Sequence, residues 1–97
     1  MRLIYLGEAR RDAAWWRLYY RKTFPGGRGR AFAALAITER LLQDNPMLGV
    51  KVENLELRKL NIPRTPFAFI YRYSHDTIEV VRLYDMRQQG SEEFQED

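Results

Sequence analysis

Apolar positions along this chain follow two periods, and the change of period divides it. Ala9, Ala13, Trp16 and Tyr20 recur at spacings of four, three and four, which makes one apolar stripe on a helix. Trp15 and Tyr19 widen that stripe. The pattern predicts a helix from Glu8 to about Thr23, with Glu8 and Asp12 near the end whose dipole favours anions. Before it, Arg2 to Leu6 is β-prone and ends at Gly7, and after it Phe24-Pro25-Gly26-Gly27 stops the helix. A second helix is expected from about Arg28 to Asn45, burying Ala31, Leu35, Thr38 and Leu42, with Phe32, Ala36 and Ile37 on the same side. Pro46 disfavours its continuation.

From Val50 to Tyr84 the period becomes two. Val50 and Val52 share one phase, Leu55 and Leu57 the other, and Leu60 and Ile62 the first again, so breaks are expected near Asn54 and Lys59. Phe67, Phe69, Tyr71 and Tyr73 line one face of the next strand and Ala68, Ile70 and Arg72 the other, which marks a central strand. Ser74-His75-Asp76 reads as a turn, and Thr77 to Tyr84 pairs back as a hairpin. The expected order is β-α-α-β-β-β. This is an α+β fold, a helical hairpin packed on one face of a mainly antiparallel sheet, with the other face open.

Composition narrows the chemistry. The chain of 97 residues fits one domain, taken as residues 1–89, followed by an acidic, disordered tail at 90–97. It has no cysteine, so disulfides and thiolate metal sites are excluded, and its single histidine, His75, argues against a histidine metal site or a serine–histidine triad. No apolar run approaches the roughly 20 residues a membrane helix needs. The short apolar start, Met1 to Leu6, is no signal peptide, so a cytoplasmic location without membrane association is expected. The formal charge of +3 hides an asymmetry: residues 1–89 carry 16 basic and 9 acidic side chains, a net +7. Such a body favours an acidic partner.

Basic residues also thread the strand segments. Arg58, Arg72, Arg82 and Arg87 are expected to converge on the open sheet face, with Arg82 in phase with Ile78, Val80 and Tyr84. The plainer alternative is cross-strand ion pairing with Glu56 or Glu79. Tyr84, Asp85 and Arg87 sit where the last strand ends and are candidates for contact with a target. Trp15, Trp16, Tyr19 and Tyr20 read as core or groove rather than as base-stacking residues, and His75 as exposed. The arginines and lysine between Arg10 and Arg30 read as a solvated face.

Three segments carry a family likeness. They are Leu41-Leu42-Gln43-Asp44-Asn45-Pro46-Met47-Leu48-Gly49, then Arg58-Lys59-Leu60 leading to Thr65-Pro66-Phe67 and Ile70-Tyr71-Arg72, and finally Ile78 to Arg87. In this order the chain resembles the ParE/RelE superfamily of toxins from type II toxin–antitoxin systems, over about residues 2 to 88. The resemblance implies a basic toxin, without cofactor or metal, neutralised by a cognate acidic antitoxin in a hetero-oligomer. It also implies one of two targets: DNA gyrase for ParE-like members, or messenger RNA in the ribosome for RelE-like nucleases. Two positions depart from the RelE-like pattern. Ala68 follows Phe67 where that pattern has arginine, and Asp85 stands where many members have histidine, while Arg87 matches the usual C-terminal arginine. A metal-free nuclease needs such donors to stabilise a pentacoordinate phosphate, so the ParE-like reading is preferred, with the RelE-like nuclease and an inactive, non-toxic interaction module on the same fold as the alternatives. For a nuclease the candidates are Arg58, Lys59, Arg82 and Arg87; for target or antitoxin binding they are Arg58, Arg64, Arg72, Arg82, Tyr84, Asp85 and Arg87.

Overall fold

The computed structural model describes residues 1–87, so the acidic tail expected at 90–97 lies outside the described residues. In chain order the elements are β1 (Arg2–Tyr5), α1 (Gly7–Leu18), α2 (Arg28–Asp44), β2 (Val50–Lys51), β3 (Arg58–Asn61), β4 (Phe67–Ser74) and β5 (Thr77–Asp85). The strands form one sheet in the order β1-β5-β4-β3-β2; β1 runs parallel to β5 and every other pair is antiparallel. The α+β reading and the order of elements are borne out.

The apolar stripe of α1 is buried through Ala9 and Trp16, and that of α2 through Ala31, Thr38 and Leu42. Both helices pack on the sheet face built from Phe67, Phe69, Tyr71, Ile78 and Val80. The first helix does not run uniformly to Thr23, because Tyr19–Thr23 form a wider π turn closed by Phe24 N–H on Tyr19 O at 2.9 Å. That turn brings the rings of Tyr19 and Tyr20 both against Phe67, at centroid distances of 5.8 and 6.0 Å. At the far end, the Tyr5 hydroxyl donates to Glu39 at 2.6 Å and ties β1 to α2. Burial, and then this carboxylate, push the Tyr5 pKa well above its ordinary value.

The exit from α2 depends on one close approach. Tyr71 OH donates to Pro46 O (2.7 Å) and accepts from Gly49 N–H (2.8 Å). A Cβ at Gly49 would lie 2.8 Å from that hydroxyl and 2.9 Å from Lys59 O, so only glycine fits. The β4–β5 hairpin turns through His75 and Asp76, both left-handed at φ 52° and 58°, the backbone of a two-residue type I′ turn. No helix among the described residues is long and apolar enough to cross a membrane.

One irregularity changes the expected faces. Ile70 pairs with Arg82 but Tyr71 pairs with Val80, so Val81 is an extra residue in β5. This bulge reverses the alternation. Ile78 and Val80 face the helices, whereas Arg82 and Tyr84 point to the opposite side with Ala68 and Ile70. The opposite face is not bare at its centre, since Ala68 and Ile70 are both buried.

Candidate functional site

The four arginines do not converge. Arg58 pairs with Tyr71 in register and turns to the loop after α2, where its Nη1 donates to Gly49 O (2.7 Å) and Met47 O (3.3 Å). Arg72 is held by Glu79, its cross-strand neighbour, at 2.5 Å. Lys59 shares the register position of Ile70 and lines a groove beside β2 with Val50, Lys51 and Asn61. Arg64 stands in the β3–β4 turn at φ 64°, next to the outer side of α2. The expected single basic face is thus corrected by two causes: the register of β3 sets Arg58 opposite the core residue Tyr71, on the helix side of the sheet, and local acceptors take up the guanidinium groups.

The remaining candidates do meet, at the end of β5. There a cleft of about 300 Å³ is lined by Arg11, Asp12 and Trp15 of α1 and by Arg82, Leu83, Tyr84 and Asp85. β1 stops pairing at Val80, and α1 takes its place beside the rest of β5. Asp12 does the work of the missing strand. Its carboxylate accepts from Leu83 N–H (2.9 Å) and from Arg82 Nε and Nη2 (2.7 and 3.2 Å), with Glu8 a further 3.8 Å partner of Arg82.

Arg87 lies just past the cleft, bound to the lining residue Asp85. Its Nε and Nη2 donate to the two oxygens of Asp85 (3.0 and 2.9 Å), its backbone N–H donates to Asp85 Oδ1 (3.0 Å), and its Nη1 donates to Tyr19 OH (3.0 Å). The guanidinium lies over the rings of Tyr19 and Phe67, 5.1 and 5.7 Å from their centroids, a cation–π seat. Burial alone would push the Asp85 carboxyl up, but the bonds and charge of Arg87 outweigh it and hold the pKa below the usual carboxylate range. Trp15, stacked on Tyr19 at 5.5 Å, remains 46% exposed. Trp16 and Tyr20, in contrast, are core residues.

Sequence reasoning placed Tyr84, Asp85 and Arg87 at this end of the sheet, and Arg82 on the open face with Arg58 and Arg72. It missed Asp12 as a partner of β5 and Arg11 and Trp15 as walls of the cleft. The spacing of Arg11, Trp15 and Tyr19 at every fourth position was the available signal. A second surface lies on α2. Ile37 and Leu41 are exposed and line an apolar groove of about 330 Å³ with Ala33, Ala34, Pro63 and two arginines, Arg30 and Arg64.

These features define a small α+β domain with a helical hairpin on one sheet face and an aromatic, charged cleft where the last strand ends. Among solved structures, the chain is similar to one described as the "Chromosomal ParDE TA system from P. aeruginosa". The TM-score is 0.67 at 23% identity, covering 88% of this chain and 95% of that one. At that identity the likeness establishes the fold, and it agrees with the ParE-like resemblance read from the sequence. No family model matches the sequence, and no curated protein does either.

Proposed function

We propose that this protein is the toxin of a type II toxin–antitoxin pair, of the ParE kind, and that it acts by binding DNA gyrase. The fold shared with a chain of a ParDE toxin–antitoxin system supports the class. The observation that carries the mode of action is the state of the arginines. In the cleft Arg82 is engaged by Asp12, and just past it Arg87 is engaged by Asp85. A phosphoryl-transfer site needs such cations aimed at the developing charge, not neutralised by neighbours. The same cleft offers Trp15, exposed beside mixed charges, and aromatic and arginine side chains of this kind anchor protein interfaces.

Neutralisation falls to an acidic antitoxin. The α2 groove, apolar at Ile37 and Leu41 and edged by Arg30 and Arg64, suits an amphipathic segment carrying carboxylates. Purified protein should inhibit supercoiling by gyrase at stoichiometric excess, and Trp15→Ala should weaken that inhibition while leaving the fold intact. Undiminished supercoiling would remove the gyrase reading. New cleavage ends on translated messages would replace it with a nuclease.

A further inference from the structure

The Arg87 guanidinium is held on three sides at once. Two of its nitrogens face the Asp85 carboxylate in the paired geometry that arginine uses for phosphate, the third donates to Tyr19 OH, and the plane rests on Tyr19 and Phe67. A carboxylate two residues away is present at a far higher effective concentration than any phosphate in solution. Asp85 is itself mostly buried and takes the backbone N–H of Arg87 as well, so it has no reason to swing away. Arg11, on the opposite wall of the cleft, has no such ligand among the described residues.

We propose that Asp85 is the built-in ligand of Arg87 and a specificity determinant that closes this end of the cleft to the phosphates of nucleic acid. The seat on Tyr19 and Phe67 is a ready-made phosphate site with its fork already filled. Its biological use rests on the protein-binding reading above, because a protein that docks on a protein target inside a cell rich in nucleic acid gains selectivity by masking such a site. Nucleic-acid binding is measured separately from supercoiling, so either idea can fail without the other.

The test is the salt dependence of binding to single-stranded RNA. Arg87→Ala should leave both affinity and slope as they are in the parent, whereas Arg11→Ala should weaken binding. Asp85→Asn should bind roughly tenfold tighter at low salt and steepen the log–log salt slope by about 0.7, the value for one added phosphate contact on a single strand. The double variant Asp85→Asn/Arg87→Ala should lose that gain, and Asp76→Asn, with the same change in charge, should not produce it. Circular dichroism on each variant establishes folding, and the Arg87→Ala arm does not depend on Asp85→Asn being stable. An Arg87→Ala loss equal to that of Arg11→Ala would overturn the proposal. So would an Asp85→Asn gain that survives removal of Arg87.

Discussion

Asp12 shows how much a single carboxylate can hold. Where β1 ends, the N–H of Leu83 would face an unpaired sheet edge, and Asp12 supplies both its acceptor and the counter-charge of Arg82. Removing the side chain strands the backbone donor and takes from Arg82 its nearest counter-charge. Asp12→Ala should lower stability by about 2–3 kcal/mol, near the top of the range for an unsatisfied buried group. Asp12→Asn keeps an acceptor and should cost about half of that. Chemical denaturation of the two variants checks the ordering, which a purely electrostatic role for Asp12 would not produce. The Asp85–Arg87 pair makes a second prediction at this scale. Because the folded-state pKa of Asp85 lies below its unfolded value, its contribution is complete above about pH 4 and is lost as pH falls through the folded value. The stability gap between the parent and Asp85→Asn should therefore narrow on acidification from neutral pH. A gap constant with pH would show that the pair contributes nothing through charge.

Among the elements, the segment after α2 is specified most tightly. Asn45-Pro46-Met47-Leu48-Gly49 must bring two backbone groups to the Tyr71 hydroxyl, and Gly49 lies against both that oxygen and Lys59 O. Burial raises the Tyr71 pKa, partly offset by the Gly49 N–H and the charge of Arg58, so the phenol stays protonated and keeps donating to Pro46 O. Gly49→Ala should cost about 1–3 kcal/mol by overpacking, since one of the crowded neighbours is backbone and cannot rotate aside. Thermal unfolding measures it directly. The β5 bulge is the element that escaped sequence reasoning. Ile78, Val80, Arg82 and Tyr84 alternate without interruption in the sequence, and Val81 looks like any outward residue of that run. Only the pairing with β4 reveals that Val81 has no opposite number.

On the scale of the whole molecule, the legible part was what the chain states locally. Helical spacing from Ala9 to Tyr20, the Pro-Gly-Gly stop and the alternation of Phe67 to Tyr73 each fix an element, and their order leaves few ways to cover the sheet. The candidate site was half legible. Tyr84, Asp85 and Arg87 lie close in sequence and were found together. Asp12 and Arg82 are distant along the chain and meet only because β1 is short, a fact set by packing rather than by any spacing. The net charge pointed to an acidic partner but could not say which arginines are already neutralised inside the fold. That distinction matters for function, because Arg58, Arg72, Arg82 and Arg87 look alike in the sequence and each has a different fixed partner in the structure.

The parallel pairing of β1 with β5 has a consequence for biosynthesis. Arg2 waits for Thr77, and Tyr5 for Val80, so β1 is made well before the strand that receives it. Closing so long a loop early is entropically unfavourable. A nascent or truncated chain lacking residues 77–85 has neither the strand that receives β1 nor the segment that Asp12 braces, and so does not build the cleft at all. Whatever this cleft does to a cell, it does only once residues 77–85 have been made and have paired.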